Sequence, residues 1–440
     1  MLQHDCRFFH RLCRGAQYAV INARTGAWLG GQEEPMQVIA DYLAATEGRG
    51  CPMPRIDAPL MELIKESGIT EPAGDDGRFQ PSLAVVHIGH RCNLACSYCY
   101  APRNRESMSR PVIDATVKFL ASLSGPLFVQ FMGGEPLLHL EQVRQLIEGF
   151  RQKRSRYETT YGIQTNGLCL AEQGVLPMLR EHEISFGISF DGPRGMSRAR
   201  YGDRTEMLER RLEETMRRLH GEGCEFGLLC VLNASNVDRL EELLDWCLAE
   251  GIDQLLINPL LPGRGRDEYA ITALQASNAL RKLFRCWVDH RFYTAIAIEN
   301  FQHFEDNLAS TTRQYMCRKY PCGAGVDQLA IDSNGDVYPC DYLVGTSEFR
   351  AGSVLRDSPE AIADAPLLAA LRSQRDVSRL SRCGACPFFS ICGHCMSSSY
   401  FHGQGVAGPR ASCEADRAVI EDILFELLIN QDYCDHVTSR

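Results

Sequence analysis

The sequence predicts an α/β fold: a parallel sheet with crossover helices, a small N-terminal appendage, and a loop-rich C-terminal region held by metal. Three observations predict it. Between residues 81 and 262, short apolar runs alternate with amphipathic helical stretches. The 20 cysteines are clustered rather than spread. The length, 440 residues, asks for two or three structural units. Apolar residues at 45% and charged residues at 23% allow a sizeable core and exclude whole-chain disorder. A formal charge of −10 argues against a nucleic-acid partner, which needs a basic surface. No run of 18 apolar residues suits a membrane span, and residues 1–15 lack a secretory h-region. A cytoplasmic, reducing location is therefore expected, where clustered cysteines read as metal ligands rather than disulfides.

The elements follow in order. Residues 1–80 form the appendage, with a strand at 18–21, a helix at 36–43, and Gly/Pro/Asp-rich loops at 48–59 and 71–77. Residues 81–262 hold apolar runs at 83–88, 127–132, 160–164, 184–190, 225–232 and 254–258. Helical periods lie between them, as at 112–123, 140–152 and 237–250. Six strand–helix units fall short of the eight of a full barrel, so an open, partial (β/α)6 TIM-like barrel is one solution and a doubly wound sheet the other. Residues 263–316 read as a helical bridge, 317–415 as the cysteine-rich domain, and 416–440 as a tail with a helix at 418–429. The cysteine-rich stretch has little apolar burial to hold it, so metal cross-links supply the constraint.

The first cluster, Cys92-x3-Cys96-x2-Cys99, follows the first barrel strand directly. Three thiolates in one tight loop converge on one soft centre and leave a position open for chemistry. A zinc site with His87 or His90 as fourth ligand is the alternative. Polar residues recur at later strand ends: Met132-Gly133-Gly134-Glu135-Pro136, Asn166-Gly167, Ser189-Phe190-Asp191, and Asn233 with Asn236. This is where α/β folds put their sites. Each taken alone is also an ordinary turn or cap. The second cluster runs Cys317, Cys322, Cys340, Cys383, Cys386, Cys392, Cys395 and Cys413, enough for two four-thiolate centres of zinc or iron–sulfur. Cys6, Cys13, Cys51, Cys169, Cys224, Cys230, Cys247, Cys286 and Cys434 lack ligand spacing and read as ordinary thiols.

The cysteine loop, with Tyr98 before its third cysteine, resembles the signature of the radical S-adenosylmethionine (radical SAM) superfamily. The resemblance implies a 4Fe-4S cluster on Cys92, Cys96 and Cys99 whose fourth iron binds S-adenosylmethionine, reductive cleavage of which yields a 5′-deoxyadenosyl radical. It also implies that Tyr98 and Gly133 to Pro136 contact S-adenosylmethionine, with Glu135 near the methionine amino group. Asn166 and Ser189 become ribose or carboxylate contacts, while Asp191 stays between site and loop support. The C-terminal cysteines resemble a SPASM domain, which implies two auxiliary 4Fe-4S clusters. One takes Cys317, Cys322, Cys340 and Cys395, the other Cys383, Cys386, Cys392 and Cys413. Two residues, where the family usually has three, separate Cys392 from Cys395. Asp341, after Cys340, matches the general base expected in anaerobic sulfatase-maturating enzymes. The implied activity is radical modification of a peptide or protein, with an electron donor such as flavodoxin or ferredoxin. The favoured substrate is a ribosomally made precursor peptide that becomes crosslinked. Formylglycine formation in sulfatases is the second reading, and a zinc-dependent scaffold the reading from outside enzymes. Met132 stands where sulfatase maturases are expected to have Gln, and an appendage over 1–80 suits the holding of a leader peptide.

Overall fold

The computed structural model describes residues 8–47, 52–70, 78–101, 106–154, 156–263, 267–310, 317, 322–373, 380 and 382–440. Cys6, Cys51 and the loop at 71–77 lie outside them.

The appendage is a folded unit. Strands β1 (Phe9–Arg14), β2 (Gln17–Asn22) and β3 (Trp28–Gly31) form an antiparallel sheet in that order. Helix α1 (Glu33–Thr46) buries Met36, Ile39 and Leu43, one helical face, in a small core shared with Val20 and Leu29. Helix α2 (Ala58–Glu66) falls partly in the stretch expected as loop. The Asp57 side chain accepts from the Leu60 N–H at 3.0 Å, and Pro59 sits in the first turn, where its missing donor costs nothing. The Trp28 Nε1–H donates to the Leu308 carbonyl at 2.9 Å, and Arg14 pairs with Asp422 at 2.8 Å, tying the unit to the rest of the chain.

The main sheet carries strands β4 (Leu83–Gly89), β5 (Leu127–Gly133), β6 (Thr159–Thr165), β7 (Ile184–Ser189), β8 (Gly227–Leu232) and β9 (Gln254–Pro259), each within two residues of its expected position. Helices α3 (Arg110–Ala121), α4 (Leu140–Lys153), α5 (Val175–Glu181), α6 (Arg198–Tyr201), α7 (Thr205–Gly221) and α8 (Leu240–Ala249) cross between them. All neighbours from β4 to β9 are parallel and adjacent in sequence order. A doubly wound sheet reverses its order at a switch point. This one does not, so the singly wound order of the partial barrel is the one adopted.

The bridge contains α9 (Ala273–Asp289), β10 (Ala297–Ile298), parallel to β9, and α10 (Glu299–Ala309). The cysteine-rich region is less loop-like than expected. Its strand β11 (Gln328–Ile331) pairs parallel with β4, and β12 (Asp336–Tyr338) and β13 (Gly352–Ser353) follow antiparallel, so the sheet reaches ten strands. Short helices α11 (Pro359–Ala363), α12 (Pro366–Ser373), α13 (Phe389–Cys392) and α14 (Met396–Phe401) follow. Helix α15 (Cys413–Ile429), longer than its expected span, packs on α9 and α10, and α16 (Gln431–Thr438) ends the chain. No helix among the described residues is long and apolar enough to cross a membrane.

Candidate active site

Strand β4 runs straight into the cysteine loop, so Cys92, Cys96 and Cys99 sit at the carboxyl end of the sheet. Cys92 lies within electrostatic reach of Cys99, and Cys96 of both. Burial pushes the Cys96 thiol up to about 11, with Arg200 opposing the shift. The loop is gripped from below by the glycine pair. Gly134 N–H donates to the Gly89 carbonyl at 2.8 Å and Glu135 N–H to the Arg91 carbonyl at 2.9 Å. A Cβ on Gly133 would stand 2.2 Å from the Gly89 carbonyl oxygen, and one on Gly134 2.4 Å from that of Arg91. The backbone approaching these glycines is the cysteine loop's own.

Glu135 is 1% exposed and accepts from Thr165 Oγ1 (2.7 Å), Asn166 N–H (2.8 Å) and Leu137 N–H (3.1 Å). It straps the end of β5 to the end of β6. Burial raises its pKa above the ordinary carboxylate value, and those hydrogen bonds oppose the rise. Asn166 Nδ2 donates to Asn93 Oδ1 at 2.7 Å and lies 3.8 Å from Cys92 Sγ, so it stands beside the first cysteine. Ser189 Oγ accepts from Gln164 at 2.9 Å. The Tyr98 hydroxyl donates to Asp191 at 2.5 Å, and the Arg200 guanidinium lies 5.6 Å from the Tyr98 ring centre.

Asp191 resolves to loop support: fully buried, it accepts from Tyr98, from Arg200 (2.8 Å) and from the Val231 N–H (3.0 Å). Asn233 and Asn236 are fully buried and bond to nearby backbone, as strand-end caps do.

Asp341 reaches this end of the sheet because β11 lies beside β4. After the turn at 332–335, β12 runs back antiparallel to β11, and the chain that follows sets Asp341 against His87 of β4. His87 Nε2 lies 2.6 Å from Asp341 Oδ1, and the Tyr100 hydroxyl donates to Oδ2 at 2.7 Å. The carboxylate is thus held on both oxygens while its side chain stays 22% exposed. His90 Nε2 lies 2.8 Å from Asp332 Oδ1. Burial, the largest single effect, would raise the Asp332 carboxyl, but His90, the Ser333 N–H and His87 together hold it below its ordinary value. The Nε2 atoms of His87 and His90, weighed as a fourth zinc ligand, are therefore taken by carboxylates. Tyr100, the two histidine–carboxylate pairs and Arg200 were absent from the sequence reading of the site; pairs 254 and 242 residues apart leave no local pattern.

The structure brings the first auxiliary set together. Cys340 lies within electrostatic reach of Cys395, Cys322 and Cys317, and Cys322 of Cys395 and Cys317. Cys395 joins this set despite the shortened spacing. In the second set Cys383 and Cys386 both feel Cys413, and burial pushes Cys383 up to about 12. The place of Cys392 there rests on the resemblance. The described cysteines are all free thiols. No three of them bring their sulfurs within 4.8 Å of one another.

The model of the radical SAM superfamily matches residues 86–247, and that of the SPASM iron–sulfur cluster-binding domain matches 322–387. The chain is a radical SAM enzyme. The matched spans cover the cysteine loop, the strand ends and much of the auxiliary-cluster region, so its cofactors are S-adenosylmethionine and 4Fe-4S clusters, auxiliary ones included. A cysteine-type anaerobic sulfatase-maturating enzyme of Clostridium perfringens is 26% identical over 293 residues, 62% of this chain and 77% of that protein. The subtilosin biosynthesis protein AlbA of Bacillus subtilis is 23% identical over 337 residues, 74% of this chain and 70% of that one. In fold, this radical SAM chain resembles anSMEcpe with bound AdoMet, with TM-score 0.70 and 21% identity over 82% of this chain and 98% of that one. It also resembles Streptococcus suis SuiB bound to its precursor peptide SuiA, with TM-score 0.57 and 16% identity over 94% and 99%.

Proposed function

We propose that this radical SAM enzyme crosslinks a ribosomally made precursor peptide. The observation that carries the reading is the folded N-terminal unit. Its three-stranded sheet has β1 and β3 as edges, and an extended leader can add to such an edge through main-chain hydrogen bonds. The fold likeness to SuiB takes in 94% of the chain against 82% for anSMEcpe, which supports a counterpart of this unit in a peptide-bound protein.

In this reading Cys92, Cys96 and Cys99 hold the first cluster, and Tyr98, Gly133, Gly134, Glu135, Pro136, Asn166 and Ser189 surround its S-adenosylmethionine. When bound there, S-adenosylmethionine supplies a 5′-deoxyadenosyl radical able to take a hydrogen atom from an unreactive carbon. Asp341 accepts the proton released as the substrate forms its new bond. His87 and Tyr100 fix its two oxygens, so the base needs no reorganisation. The eight later cysteines would hold two auxiliary clusters, which would supply electron transfer there. A flavodoxin or ferredoxin is the electron donor, and the site of action is the cytoplasm.

The second reading, formylglycine formation in a sulfatase, is favoured by one feature, Asp341 directly after Cys340. The test is anaerobic reconstitution, then dithionite and S-adenosylmethionine with either a co-expressed precursor from a neighbouring short reading frame or a sulfatase peptide. Release of 5′-deoxyadenosine with a 2 Da mass loss in the precursor is expected. An aldehyde in the sulfatase peptide would overturn the choice of substrate. Absence of 5′-deoxyadenosine would overturn the radical chemistry in this chain.

A further inference from the structure

Three buried side chains at the end of β4 form a donor set that the roles above use only in part. His87, His90 and Asp332 are 1%, 4% and 7% exposed. One ring nitrogen of each histidine and one oxygen of Asp332 lie within 4.8 Å of one another, and among the described residues no other trio of histidine, cysteine or carboxylate groups does so. Backbone pairing brings them together. His87 lies on β4, His90 starts the cysteine loop just beyond it, and Asp332 follows β11, which runs beside β4.

The hydrogen bonds then decide which lone pairs are left. His87 Nε2 lies 2.6 Å from Asp341 Oδ1, and His90 Nε2 lies 2.8 Å from Asp332 Oδ1. With each Nε2–H donating to its carboxylate, each Nδ1 carries a bare lone pair. Both Nδ1 atoms are buried without a hydrogen-bond partner among the described residues. A buried acceptor in that state is costly unless a donor or a cation meets it. Metal-bound histidines are oriented in this way, with the far nitrogen donating to a carboxylate. Asp341 stands in that place behind His87.

We propose that His87, His90 and Asp332 bind a divalent metal ion of the zinc class, separate from the iron–sulfur clusters. Two imidazoles and a carboxylate are nitrogen–oxygen donors that zinc accepts with a fourth position left open. Bonds of about 2.0–2.2 Å hold such atoms roughly 3–3.6 Å apart, so small rotations of the rings and the carboxylate close the set. Asp332 in contact and Asp341 one ring away balance the two charges of the ion. The ion ties β4 to the chain after β11, the pairing that carries Asp341 into the site, and holds His87 as donor to that carboxylate. This holds whichever peptide is the substrate.

The test loads the anaerobic holoenzyme with a slight excess of zinc chloride, desalts it, and measures metal content and the zinc K-edge X-ray absorption spectrum. Zinc is the probe because it binds nitrogen–oxygen sites more tightly than ferrous iron. About one zinc per chain is expected beside about twelve irons, with a first shell of nitrogen and oxygen at about 2.0–2.1 Å and no sulfur at about 2.3 Å. Asp332→Asn and His87→Gln should each lower zinc retention by about tenfold or more with iron unchanged. His139→Gln, which removes a buried histidine beside Gly89 but outside the set, should retain the zinc. No zinc on the wild type, a sulfur shell, or retention in both ligand variants would overturn the inference, as would equal loss from His139→Gln. If one ligand variant loses iron, the other decides.

Discussion

The tightest constraint in the site belongs to two residues with no side chain. A Cβ on Gly134 would meet the carbonyl oxygens of Arg91 at 2.4 Å and His90 at 2.6 Å. Both are backbone atoms of the cysteine loop, so no side chain can swing away. Overpacking of this kind costs up to about 3 kcal/mol. The only relief is to lift the loop. Gly134→Ala should therefore lower 5′-deoxyadenosine release on the order of 100-fold while leaving the auxiliary clusters in place. Iron content and release measured together check this. Full activity in the variant would mean the loop does not need its grip. The need for small residues here was legible from the motif, but the partner was not. Sequence suggested that a ligand approaches the glycines, and the structure adds that the cysteine loop's own backbone packs against them. Glu135 follows the same pattern, since two of its hydrogen bonds go to the end of β6 and the third to the Leu137 N–H just after it.

Among the elements, the barrel strands were legible because parallel strands buried on both faces read as short continuous apolar runs. All residues of β4 but Leu83 are buried, and that strand appeared at its expected position. Strand β11 was missed for the opposite reason: four residues inside a Gly- and Asp-rich stretch carry too little period to register. Yet β11 decides the site, because its pairing with β4 sets Asp341 beside His87. The appendage was half legible, since β1 is half basic residues and β3 ends in two glycines, which dilute a strand signal. Its anchorage is testable at this scale. Trp28→Ala removes the hydrogen bond to Leu308 and part of a large apolar contact, about 2 kcal/mol for a half-buried ring. The unit should then become sensitive to limited proteolysis near residues 32–57. Release of 5′-deoxyadenosine should stay within about twofold, as the cysteine loop is untouched. Under the peptide-maturase reading, affinity for the precursor should fall. Loss of S-adenosylmethionine cleavage in this variant would show that the unit supports the barrel rather than a peptide.

The whole molecule combines two ways of holding a fold together. The barrel, the bridge and α15 share one large apolar core, in which Phe284 packs edge to face with Phe301 and Tyr433, and Trp287 with Tyr433. The region from 382 to 413 has only short helices, and its cysteines carry no disulfide. There burial pushes the Cys383, Cys386 and Cys413 thiols upward, Cys383 to about 12, so without metal these three yield no charge-assisted bond at neutral pH. Metal binding drives off those protons and converts a weakly held set of turns into a cross-linked one, which makes binding free energy into local folding free energy. Iron removal should then act unevenly. After anaerobic chelation, backbone hydrogen exchange should rise by at least tenfold at 382–413, while the buried strands from β4 to β9 stay protected and the helical content falls only slightly. The N-terminal unit, which shares no cysteine with the clusters, should exchange as before. Equal loss of protection across the barrel would mean that the clusters hold up the entire chain. Unchanged exchange at 382–413 would mean that side-chain packing suffices there, and that its cysteines serve electron transfer alone.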